Sequence, residues 1–141
     1  MQKDNRLYQL AENVLKNSVK LKKGEKIYIE AFGPAVLDLM EIFIRKATEL
    51  GGVPFYFYND EHLLKAVIDN ASEEQMKAFG ETYRQQMASS DVYVALRGYD
   101  DIFALSDVNE RQMALYMQHY YNPVHRSTRE PRTRWCVMGY P

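Results

Sequence analysis

The chain carries one cysteine, Cys136, in 141 residues. A lone thiol cannot close an intrachain disulfide, so a disulfide framework is excluded. No apolar run approaches the roughly 20 residues that a membrane helix needs. The opening Met1-Gln2-Lys3-Asp4-Asn5-Arg6 lacks the apolar stretch of a secretory signal. Neither sign of charge dominates: 18 Lys and Arg stand against 19 Asp and Glu, a formal net charge of −1. That balance gives no electrostatic reason to expect nucleic acid or anionic lipid as a partner. The expectation is a cytoplasmic protein that binds neither nucleic acid nor membrane.

The usual catalytic signatures are missing too. His62, His119 and His125 are the only histidines, and no His-Glu-x-x-His pair occurs. Cys136 has no cysteine partner, so no familiar zinc spacing is present. His119 and His125 stand six apart with Asn122-Pro123 between them. They do not share a helical face and are read as surface or partly satisfied histidines. His62, beside Asp60 and Glu61, reads as the first turn of a helix. The loop Ala31-Phe32-Gly33-Pro34-Ala35 is not Gly-x-Gly-x-x-Gly, and Gly-Lys-Ser/Thr and Gly-x-Ser-x-Gly are both absent. Cys136 sits in an apolar strand, where a thiol is ordinarily inert. The residues thus nominate no catalytic residue, no cofactor-binding residue and no metal ligand.

What is present is an ordinary globular composition, 46% hydrophobic and 26% charged, which excludes disorder for most of the chain. One domain over residues 1–141 is expected. Leu7, Leu10, Ala11, Val14 and Leu15 fall on one face of a helix from Asp4, its N-cap, to Asn17. The lysines from Lys20 to Lys26 surround Gly24 and Glu25 and read as a solvated turn. Ile27–Phe32 and Val53–Tyr58 are strands by their β-branched and aromatic content. Between them a helix opens at Gly33-Pro34 and stops at Gly51-Gly52. This βαβ unit requires parallel strands.

Asn59 or Asp60 caps a helix over Glu61–Asp69, and Ser72 with Gln75 forms a capping box for the next. That helix shows Met76, Phe79, Tyr83 and Met87 at helical spacing, with Gly80 a candidate interruption. Asp91–Gly98 is a third strand and Tyr99–Ser106 a loop. Asp107 with Glu110 reads as a second capping box, opening a helix that Asn122-Pro123 closes after Tyr121. His125–Arg134 reads as irregular, and Trp135–Met138 as a fourth short strand. The alternation predicts an α/β fold, a three-layer α/β/α arrangement around a mostly parallel sheet of about four strands, Rossmann-like. The ending on Gly139-Tyr140-Pro141, without a covering helix or polar tail, suggests a truncated domain.

One constellation stands out. Ligands in open α/β sheets bind at the carboxyl ends of strands. Those ends carry Glu30, Asn59, Asp60 and Arg97, with Arg126 and Arg129 in the segment before the last strand. Arginines there could hold a carboxylate or phosphate in bidentate fashion. The favoured reading is plainer: salt bridges among Glu30, Asp100, Asp101 and these arginines.

Several segments, in order along the whole chain, carry a family likeness. They are Leu10–Leu15 with Leu21–Ile29, Asn70–Met76, Ala104–Asn109, and above all Arg134-Trp135-Cys136-Val137-Met138-Gly139-Tyr140-Pro141 with its Arg-Trp…Tyr-Pro pattern. In these the chain resembles the amino-terminal domain of the thermophilic-type metallo-aminopeptidases, the aminopeptidase T and aminopeptidase S family. The resemblance implies the first part of a longer two-domain enzyme that removes amino-terminal residues from peptides. It also implies a homodimeric parent and a carboxyl-terminal catalytic domain as partner. Two divalent ions of the zinc or cobalt type would polarise the scissile carbonyl and activate a water there. The family's ligand motif, Asn-x-Pro-x-Gly-Glu, is not in this sequence, so no metal ligand is carried over. The segment is expected to be scaffold and cavity wall, inactive alone. The competing reading is a stand-alone flavodoxin- or receiver-like module binding a small molecule near Glu30 and Arg97.

Overall fold

A computed structural model describes residues 5–98 and 103–139. Four strands, β1 (Lys26–Phe32), β2 (Val53–Asn59), β3 (Val92–Arg97) and β4 (Arg134–Gly139), form one sheet in the order β2-β1-β3-β4. All three pairings are parallel. Central β1 and β3 are buried nearly throughout, whereas the edge strand β2 alternates with exposed positions. A parallel sheet covered on both faces requires this of its inner strands.

The alternation of side chains divides the core into two layers. Ile27, Ile29, Ala31, Val92, Val94 and Leu96 face α1 (Asn5–Asn13) and α2 (Leu37–Glu49). Tyr28, Tyr93 and Ala95 face the opposite layer. That layer is built by α3 (Glu61–Asp69), α4 (Glu73–Ala88), α5 (Glu110–Tyr116) and a long helical continuation of α5. The fold is therefore the expected three-layer α/β/α arrangement, with a sheet that is parallel throughout.

Local chemistry explains most boundaries. Pro34 opens a single 3-10 turn, Pro34–Val36, ahead of α2. Gly51, at φ 87°, ends α2 in the left-handed region that glycine enters without strain. Asp60 caps α3 by accepting from the N–H groups of His62 and Leu63. The Ser72–Gln75 capping box is complete in both directions. The lysine-rich turn is tied by Arg134, which donates to the carbonyls of Val19 and Lys20 and pairs with Glu25.

Four expectations are corrected. The first helix gives way to a π-helical turn at Val14–Ser18; its cap, Asp4, lies outside the described residues. Gly80 does not interrupt α4, which runs unbroken through it. A Cβ at position 80 would lie 1.7 Å from the carbonyl oxygen of His119, so the glycine is the point where two helices touch backbone to backbone. The cap of α5 is Asn109, whose side chain accepts from the Gln112 N–H at 2.9 Å; Asp107 stands 3.7 Å from Lys65.

The fourth correction is the largest. Asn122-Pro123 does not close the helix, and residues 125–132 are not irregular. α5 continues as a π-helix, Met117–Arg129, and ends in a short turn α6 (Glu130–Arg132). In an α-helix the Pro123 ring would meet the carbonyl four residues back. The wider coil opens that turn. The buried residues Tyr116, Tyr120, Val124 and Thr128 recur every four positions.

Candidate functional site

Register alone brings the candidate residues to one level. Asn59 of β2 pairs with Phe32 of β1, and Phe32 with Arg97 of β3. The chain runs from β1 outward to β2, then returns to the other side of β1 for β3. The carboxyl ends of β1 and β3 therefore flank the topological switch point, where open α/β sheets leave a crevice. A cavity of about 140 Å³ opens there. Asn59, Glu61, Arg97, His125 and Arg129 supply its polar wall, and Tyr93, Tyr116, Tyr120 and Tyr121 much of the rest.

Glu30 lies beside this cavity, 2% exposed. Its Oε1 accepts from the Tyr93 hydroxyl at 2.7 Å and its Oε2 from the Asn59 amide at 3.3 Å. Burial pushes its carboxyl above the usual range; the bonds from Tyr93 and Asn59, and the charges of Arg97 and Arg129, pull in the opposite direction. Burial also raises the Tyr93 phenol, and proximity to Glu30 adds to it. The pair therefore holds its proton on the tyrosine side, as a donor to Glu30.

His125 and Arg129, one turn apart on the π-helix, form the other wall. Arg129 Nε donates to His125 Nδ1 at 2.9 Å. A guanidinium has no acceptor, so Nδ1 carries no proton and the neutral ring keeps its hydrogen on Nε2. Burial, then the charges of Arg129 and Arg97, lower the imidazole to about 3. The Arg129 guanidinium lies 5.2 Å from the Tyr93 ring centre and 4.8 Å from that of Trp135, at cation–π distance from both.

The structure brings together Glu30, Asn59, Arg97 and Arg129 from the sequence-derived constellation. It leaves out Asp60, which caps α3, and Arg126, which is exposed and sits 5.9 Å from the Tyr121 ring centre. Among the described residues, the hydrogen bonds to Glu30 come from Tyr93 and Asn59, and Arg97 and Arg129 act on it through charge. Asp100 and Asp101 lie outside the described residues.

His119 accords with a partly satisfied surface histidine, with Nε2 3.0 Å from Glu73. His125 is not at the surface, being buried at 7% exposure, but it is partly satisfied, through Arg129 at Nδ1. Its role, and that of Tyr93, escaped the sequence reading. The four-residue spacing of Val124 and Thr128, and of His125 and Arg129, is the signal that the helix continues past Pro123. Cys136 is partly buried, and desolvation raises its thiol.

Among the described residues, no three of His, Cys, Asp and Glu converge where they could hold a metal ion. No helix among the described residues is long and apolar enough to cross a membrane.

No curated protein matches this sequence. Among solved structures, the chain is similar to the wild-type AmpT from Thermus thermophilus, at a TM-score of 0.68 and 20% identity. The alignment covers 96% of this chain but 36% of that one, so the chain spans little more than a third of that protein's length. A LacI-family putative transcription repressor from Corynebacterium glutamicum also aligns, at a TM-score of 0.46 and 15% identity, over 95% of this chain and 41% of that one. The family model for thermophilic metalloproteases, M29, matches residues 3–141. The chain belongs to the thermophilic metalloprotease family, M29.

Proposed function

We propose that this chain is the amino-terminal α/β part of a metal-dependent aminopeptidase, which removes amino-terminal residues from peptides. The observation that carries this reading is the family match from residue 3 to residue 141. The partial coverage of AmpT, 36% of its length, supports a longer protein with a carboxyl-terminal catalytic domain. In this reading two divalent ions of the zinc or cobalt type belong to that other domain. The complete enzyme is a cytoplasmic homodimer. The donor set among the described residues does not fit a metal pair, so no catalytic step is assigned to them. Their part is mechanical: a covered parallel sheet holds one wall of the substrate cavity in place.

The test compares two proteins prepared alike and loaded with zinc or cobalt: this chain, and the full reading frame that contains it. Release of free amino acid from short peptides is expected from the longer protein and not from the 141-residue chain. Hydrolysis by the chain alone, persisting after removal of contaminating peptidase, would overturn the assignment of this segment as wall rather than catalyst.

A further inference from the structure

Two arginines at the switch point each keep one nitrogen without a hydrogen-bond partner. Arg97 Nε and Arg129 Nη1 are sealed from solvent and have no hydrogen-bond partner, and both side chains line the same cavity. A guanidinium does not shed its proton on burial as His125 does. A buried polar donor left unpaired is costly, so two of them on arginines that border one cavity favour an acceptor there.

Glu30 gives neither arginine a hydrogen bond. Its two oxygens are engaged by Tyr93 and Asn59, so it meets the arginines through charge alone. Glu61 brings one carboxylate to a cavity with two permanent positive charges. Arg129 is 6% exposed and is fixed from behind by His125 and by the faces of Tyr93 and Trp135. Its orientation is thus set before any ligand arrives, which lowers the cost of binding.

We propose that the cavity between the ends of β1 and β3 is a binding site for a compact oxyanion, a phosphate or a small carboxylate, received by Arg97 and Arg129. The planar forks of two arginines match the oxygens of either group. The volume, about 140 Å³, is well below the roughly 300–1,000 Å³ of sites for drug-sized ligands. It excludes a nucleotide or a peptide and accommodates the anion itself. The inference stands on the cavity and its arginines and does not depend on the peptidase reading.

The chain carries its own reporter, since its single tryptophan is Trp135, in contact with Arg129. Inorganic phosphate and, separately, acetate are titrated into the full chain at ionic strength held constant with chloride. Trp135 fluorescence and the thermal midpoint are followed. Saturable binding and an anion-dependent rise in midpoint are expected. The tighter of the two anions identifies the group as phosphate or carboxylate.

Arg97→Gln should weaken binding at least tenfold while leaving the anion-free midpoint unchanged or raised, because the side chain is only partly buried and its Nε has no hydrogen bond to lose. Arg97→Lys, which keeps the charge but not the fork, should weaken binding less. A response that chloride reproduces, or that survives intact in both Arg97→Gln and Arg129→Gln, would overturn the proposal. So would a lowered anion-free midpoint in Arg97→Gln, the mark of an arginine that merely holds the fold.

Discussion

His125 offers a sharp test of how burial acts in this fold. Its imidazole is held near 3 in the folded chain, against 6.5 when free. A depressed pKa means that the unfolded chain takes up the proton first as pH falls. The stability conferred by the neutral ring is therefore present above pH 6.5 and is lost as pH falls toward 3. Between pH 7.5 and pH 5.0 the folded ring stays neutral while the unfolded one protonates. The resulting loss is about 2 kcal/mol, from the linkage relation and 1.36 kcal/mol per pKa unit.

The groups facing the ring are Arg129 and Arg97, both opposing a positive charge, and the Tyr93, Tyr120 and Tyr121 rings. Glu30 acts with the opposite sign. Its folded pKa lies above 4.5, so its contribution is full below pH 4.5 and is lost as pH rises through the folded value. A difference between two proteins removes it. Urea unfolding is measured at pH 7.5 and 5.0 for the wild type and for His125→Asn, whose amide oxygen can still accept from Arg129. The wild type should lose about 2 kcal/mol more than the variant. Identical pH dependence in the two would refute the claim that the buried ring is kept neutral.

Other perturbations have equally definite outcomes. Gly80→Ala gains about 1 kcal/mol of helix propensity, but its Cβ would lie 1.7 Å from the His119 carbonyl oxygen. Overpacking costs of about 1–3 kcal/mol and more should win, so the thermal midpoint should fall; a stabilised variant would refute the close approach. Gln112 is buried and donates to the carbonyls of Ile68 at 2.7 Å and Ala71 at 2.9 Å, where α3 ends. Gln112→Leu removes both bonds, while the Ile68 carbonyl keeps the Ala71 N–H, and should cost about 1–2 kcal/mol in chemical denaturation. Cys136, partly buried and raised by desolvation, should react with a thiol reagent at pH 8 much more slowly than free cysteine, and reach the free rate once the chain is unfolded.

Local chemistry explains why much of this fold is legible in the sequence. The β-branched and aromatic content of β1, Asp60 ahead of α3, and the Ser72–Gln75 pair each act over a few residues. The sheet's parallel sense follows from the helical connections. The π-helix was not legible, because Asn122-Pro123 is a local stop signal overruled from a distance. Helix α4 approaches at Gly80 and fixes the backbone of His119, and the row Tyr116, Tyr120, Val124, Thr128 is buried along the continued helix. The candidate site was half legible for the same reason. Glu30, Asn59 and Arg97 are placed by strand register. Arg129 owes its position to that helix and to aromatic rings from two strands.

The backbone contact at Gly80 also acts as a phase lock. A wide coil that slipped back toward ordinary winding would lengthen and rotate everything beyond the slip. Tyr120, His125 and Arg129 all lie beyond the pinned carbonyl of His119, and β4 anchors the far end beside β3. Two fixed ends and a set number of residues between them leave one angular setting, the one that turns a guanidinium under the sheet. A side chain is absent at position 80 so that a charge can be aimed elsewhere.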